Sequence, residues 1–97
     1  MATKIKAVDT STLFNSDEDQ IHLIRDALAS GDAHYVAHAI GVVARARGLT
    51  DVERETGIKR QTLNKALSTK GNPTLETLLP VLKALNLQLE VRELEAA

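Results

Sequence analysis

Twenty residues near the middle of the chain, "GLTDVERETGIKRQTLNKAL" (Gly48–Leu67), constrain the fold more than any other stretch. Gly57 sits inside them, with Val52 five residues before it, Ile58 one after, Leu63 six after and Ala66 nine after. That spacing suits two short helices that meet at a steep angle. Each uses its apolar residues against a common core, and the chain turns tightly at Gly57, a conformation that a Cβ would hinder.

The outward side of the second helix then carries Lys59, Arg60, Gln61, Asn64, Lys65 and Ser68. Two short helices joined by a glycine-containing turn, the second with a polar outer face, form the helix-turn-helix pattern. The residue types fit a reader of double-stranded DNA. Arg pairs with guanine, Gln and Asn pair with adenine, and Lys supplies a point charge for phosphate. A plain surface helix would mix Glu with Lys, whereas residues 58–71 contain no acid. Charge along the chain is uneven in the same sense. Residues 45–70 hold seven bases and three acids, a balance of +4, against −3 for residues 1–44 and −2 for residues 71–97. A basic middle between acidic flanks points to a local site for a polyanion, to which Lys70 also belongs.

Around this stretch the sequence predicts further helices. Residues 1–15 show no clean period and are expected to form an extended arm. From Ser16 the run "SDEDQIHLIRDALASGD" predicts a helix with Ser16 and Asp19 as a capping box, Ile21, Ile24, Ala27 and Leu28 inward, and Gly31 as its end. Asp32 caps the next helix, with Val36, Ala39, Ile40 and Val43 inward and Gly48 as the stop. Thr50 and Glu53 read as a second capping box for the short helix before Gly57. After the loop "STKGNP", Thr74 caps a last helix with Leu75, Leu78, Leu79, Leu82 and Leu85 inward, and Pro80 is expected to bend or break it near residue 79. "LQLEVREL" (Leu87–Leu94) alternates with the period of a half-buried strand. A lone strand needs a partner, and a second copy of the chain is the simplest one, giving a homodimer through this strand. The domain organisation is therefore an arm at 1–15, a helical body at 16–86 and a strand at 87–94.

"ARARGLTDVERETGIKRQTLNKAL", followed by "GNPTLETLLPVLKALNLQLEV", resembles the probable addiction-module antidote family, HigA-like antitoxins with a lambda-repressor-like helix-turn-helix. The resemblance runs from about Lys6 to Val91, and "VDTSTLF", "DALASGD" and "GNPT" fit the same layout. It implies an all-α, five-helix lambda-repressor-like domain with a short C-terminal β-strand used in dimerisation. It also implies a RelE-like toxin as partner, neutralised by direct binding, and repression of the shared operon through operator DNA. Three positions depart from the family pattern. Asp51 replaces a Gln that helps hold phosphate. Glu53 replaces an Ala that lets the helices pack closely. Lys59 replaces a Ser or Thr cap, which loses about 1 kcal/mol of capping. The first two favour an alternative, a toxin-binding module without DNA binding. A stand-alone phage-type repressor is a third reading, against which the acidic N-terminal part argues.

Composition limits the other possibilities. The chain has 97 residues, enough for one domain, and no Cys, hence no disulfide framework or thiolate metal site. No apolar run suits a signal peptide or a membrane span, so a cytoplasmic protein with no membrane partner is expected. His34 and His38 have zinc-ligand spacing but lack a clear third ligand, so neither a metal nor a cofactor is expected. No nucleophile–base grouping or phosphate loop is recognisable, which argues against an enzyme. Phe14 and Tyr35 are the only aromatics, too few for base-stacking recognition of RNA.

Overall fold

The computed structural model describes residues 16–95, and the expected N-terminal arm lies outside them. Five helices are present among the described residues: α1 (Asp17–Ser30), α2 (Ala33–Arg47), α3 (Leu49–Thr56), α4 (Arg60–Ala66) and α5 (Leu75–Ala84). None is long and apolar enough to cross a membrane.

The helix ends follow local chemistry. The Ser16 hydroxyl accepts from the Asp19 N–H at 3.1 Å, and Asp17, Glu18 and Asp19 place negative charge at the positive end of α1. Gly31, with φ 75°, takes the left-handed conformation that closes α1. One residue later Asp32 opens α2, its carboxylate accepting from the N–H groups of His34 and Tyr35. The phenol of Tyr35 donates back to Asp26 Oδ2 on α1. That bond, with burial and the charge of Asp26 as lesser causes, raises the phenol above its ordinary titration range. Gly48 alone separates α2 from α3.

Ile24 and Ala27 of α1, Ala39, Ile40, Val43 and Ala44 of α2, Val52 of α3, and Leu63 of α4 with Leu67 just beyond it form one core with Val81, Leu82 and Leu85. α1 lies along α2, and α5 closes the other side against α3. The buried polar residue among those described is Gln20 of α1, and half-buried Arg47, at the end of α2, holds it. Its guanidinium donates to Gln20 Oε1 on α1 at 2.7 Å and to the Leu85 carbonyl at the end of α5, and it pairs with Asp17 at 3.4 Å. Gln20 is 2% exposed, and Arg47, itself half-buried, joins three helices.

Besides Leu28 of α1, expected inward but 43% exposed, the structure corrects four expectations. Helix α3 begins at Leu49 after Gly48 and has no side-chain cap, so Thr50 is not its N-cap. On α5, Val81 (0% exposed) takes the inner place, while Leu75 (64%) and Leu79 (48%) stand out in solvent. At 3.6 residues per turn Leu78, Val81, Leu82 and Leu85 share a face and the other two leucines fall on its flank. Pro80 does not break α5, which runs through it to Ala84. The ring lies on the exposed side, and the bond it forgoes would reach the carbonyl of Glu76 in the exposed first turn. The fourth correction changes the fold class: there is no C-terminal β-strand among the described residues, which are helical or irregular. Asn86 turns the chain with φ 62°, and the Leu87 N–H closes back on the Leu82 carbonyl at 2.8 Å. Beyond it Val91 and Leu94 are 98% and 96% exposed. The alternation of "LQLEVREL" is real, but among the described residues it has no neighbouring ladder to pair its backbone groups, and they form no sheet. Dimerisation through that strand loses its structural element with it.

Candidate nucleic-acid interface

Helix α3, the three residues Gly57–Lys59, and helix α4 make the helix-turn-helix. At the turn Gly57 has φ 76° and donates to the Glu53 carbonyl at 2.8 Å. The Thr56 hydroxyl donates to the Val52 carbonyl at 2.7 Å and accepts from the Ile58 N–H at 3.1 Å, so one side chain stitches both sides of the corner.

Lys59 is the N-cap of α4 and makes no capping bond through its side chain. Glu53 makes one instead: its Oε2 accepts from the Arg60 N–H at 3.1 Å. Glu53 therefore reaches forward to α4 rather than back to Thr50, which corrects its reading as half of a capping box. The Thr50 hydroxyl accepts from the guanidinium of Arg60. Two of the departures from the family pattern thus compensate each other, because the carboxylate at position 53 supplies the cap that the lysine at position 59 cannot. The third, Asp51, pairs with Arg54 at 2.8 Å on an exposed surface, which offsets its charge locally.

The inner side of α4 is fixed by Leu63 and Leu67, both 0% exposed, with Ile58 packed beside them. Lys59, Arg60, Gln61, Asn64 and Lys65 are exposed, so the structure brings these five together around a helix of seven residues. Lys70 is exposed on the loop that follows. Ser68 is only half-buried, but its hydroxyl is used by the backbone: it donates to the Lys65 carbonyl at 3.0 Å and accepts from the Lys70 N–H at 3.3 Å. Its geometry makes it the exit cap of α4, which places Lys70.

The loop is held closely. A Cβ on Gly71 would lie 2.0 Å from the Ala66 carbonyl oxygen. The Gly71 carbonyl in turn faces Nδ1 of His34 at 2.8 Å, so His34 tethers the loop to α2. Among the described residues no group of three or more His, Asp or Glu side chains could hold a metal ion.

Sequence reasoning gave Arg45 no role beyond its charge. Its guanidinium reaches from α2 to α4, donating to Asn64 Oδ1 at 3.2 Å and to the Leu67 carbonyl at 3.3 Å. No local pattern shows this, because the partners lie 19 and 22 residues away in the chain. "ARARG" now has a physical meaning: one arginine braces the outer helix and the other ties the body together. The exposed face combines cationic donors with side-chain amides, groups able to grip a phosphate backbone and to meet base edges.

A sequence model of the family described as "Probable addiction module antidote protein" matches residues 4–93. An "Uncharacterized protein" of Haemophilus influenzae is 37% identical over 93 residues, covering 96% of each chain. No solved structure matches.

Proposed function

This chain belongs to the probable addiction module antidote family, and from that premise we propose that it is an antitoxin that neutralises its partner toxin by direct binding and represses its own operon through α4. The toxin class we propose is a small RelE-like ribonuclease, whose basic surface the acidic flanks of this chain would meet. The observation that carries the DNA half is the exposed face of α4: five cationic or amide side chains, no acid between residues 58 and 71, and a rigid backing in Leu63 and Leu67. Arg60, Gln61 and Asn64 are assigned to bases and Lys59, Lys65 and Lys70 to phosphates. Two copies would place two such helices in successive major grooves about 34 Å apart. The body measures 40 × 35 × 24 Å, a size compatible with that spacing.

A toxin-binding module without DNA binding gains less support from the geometry, since Glu53 serves as a helix cap and Asp51 is offset by Arg54. The test is a titration of the protein against DNA from upstream of its own gene at two salt concentrations, with scrambled DNA as control. Selective, salt-dependent binding is expected. Equal affinity for both DNAs would overturn the repressor half, leaving toxin capture to be tested by co-purification with the product of the adjacent gene.

A further inference from the structure

We infer that Arg45 sets the base preference of Asn64 by holding its amide oxygen, so that Asn64 reads a guanine-type acceptor edge and not adenine. The inference rests on the proposed reading of α4 as a DNA-binding helix. It concerns a residue that touches no base itself.

A guanidinium has five N–H donors and no acceptor. The atom of Asn64 that faces Arg45 at 3.2 Å must therefore be the carbonyl oxygen, which removes the usual ambiguity in orienting an amide. Arg45 is itself braced. Its other terminal nitrogen donates to the Leu67 carbonyl at 3.3 Å, and the guanidinium lies in a space left by Gly41. A Cβ at Gly41 would come within 2.7 Å of that nitrogen and 2.2 Å of the Leu67 oxygen. Three positions, 41, 45 and 67, thus form one fitted contact whose outcome is a fixed Asn64.

The amide of an unrestrained asparagine meets adenine with both ends: its oxygen accepts from N6–H and its amino group donates to N7. With Oδ1 of Asn64 against a full positive charge, an adenine amino group would have to approach the same oxygen as the guanidinium, donor beside donor. The end that the bridge does not engage is Nδ2, which can only donate. Of the two purine edges in the major groove, guanine's offers acceptors alone, through O6 and N7, and the positive charge behind the amide favours it further. Arg45 is therefore a positioning residue that converts an adenine reader into a guanine reader.

The experiment measures affinities of the full chain for its upstream DNA and for a set of variants of that site with each base pair replaced. Three proteins are compared: wild type, Asn64→Asp and Arg45→Met. Asn64→Asp keeps an oxygen for Arg45 and exchanges the amino donor for an acceptor, so the base pair whose preference it changes is the one Asn64 reads. Wild type is expected to prefer guanine over adenine there. Arg45→Met should reverse the guanine-to-adenine ratio at that pair by about 5-fold to 150-fold, the worth of one bidentate contact, and leave the other pairs unchanged. If Arg45→Met does not fold, the wild-type preference at the pair marked by Asn64→Asp decides. Adenine preferred at that pair by wild type overturns the inference. So does a uniform loss in Arg45→Met with preferences unmoved. Either of those results leaves operator binding standing, whereas a wild type that selects no sequence overturns both.

Discussion

Replacing Arg47 by Met tests the claim that one half-buried cation ties the body together. The substitution keeps an unbranched apolar stem of similar reach and removes the guanidinium. Two bonds are lost to groups on buried residues: the side-chain oxygen of Gln20, a residue 2% exposed, and the carbonyl of Leu85, likewise 2% exposed. Hydrogen bonds to charged groups contribute about 1.5–3 kcal/mol each. The pairing with Asp17 adds little, since that carboxylate is 88% exposed and the separation is 3.4 Å. The sum is about 3–6 kcal/mol, a large share of the roughly 5–15 kcal/mol that holds a typical domain together. For a domain near this size each kcal/mol moves the melting temperature by about 4–8 °C. Arg47→Met should therefore melt at least about 12 °C below wild type by circular dichroism, and its denaturant midpoint should fall in proportion. Arg54→Met is the control: its ion pair with Asp51 is exposed on both sides, and its loss should cost less than about 1 kcal/mol. Equal stability of Arg47→Met and Arg54→Met would refute the reasoning, because the buried bonds would then contribute nothing beyond a surface pair.

Four further outcomes are expected. Lys65→Ala should weaken binding to all DNA sequences alike and reduce the salt slope by about 1, read from titrations at several salt concentrations; an unchanged slope would remove Lys65 from the phosphate contacts. Glu53→Ala restores the residue usual in the family but removes the cap of α4, and should cost about 1 kcal/mol in urea unfolding, whereas Glu53→Gln should recover part of it. Gly41→Ala should destabilise by about 1–3 kcal/mol, since the new methyl would meet the Leu67 carbonyl in a packed contact. The chain has a single Tyr, so a tyrosinate absorbance titration reports Tyr35 alone, and it should ionise above the ordinary value of about 10. Its sign follows from the raised value. The phenol's contribution to stability is present below the unfolded pKa and is lost as pH rises through the folded one. In Asp26→Asn the titration should return toward the ordinary value.

What the sequence disclosed was whatever is encoded within a few residues. The caps at Ser16, Asp32 and Thr74, the ends at Gly31 and Gly57, and the inner residues Ile24, Ile40, Val43, Leu63 and Leu67 all follow from short-range spacing and are present. The outer face of α4 was legible for the same reason, since burial of Leu63 and Leu67 leaves Gln61, Asn64 and Lys65 outside. What could not be read depends on partners distant in the chain. Glu53 had two possible directions, and only the turn at Gly57 brings the Arg60 N–H within its reach. Arg45 and Arg47 are two residues apart and chemically identical, yet they face opposite sides of α2 and do unrelated things. The C-terminal segment failed differently: its alternation records a preference of side chains, while a strand also needs a neighbour for its backbone.

Helix α4 spans seven residues, well short of the roughly 12–15 that an isolated helix needs to persist in water. Its shape is lent to it by the core behind it. On the proposed function, DNA that engages α4 can bind only molecules whose whole body is folded, and occupancy and folding become linked equilibria. At a free operator concentration one hundred times the dissociation constant, the ligand alone would add about 2.7 kcal/mol to the stability of the folded chain. An operator would then act as a folding cofactor of its own repressor, and chains at their site would resist unfolding longer than chains free in solution.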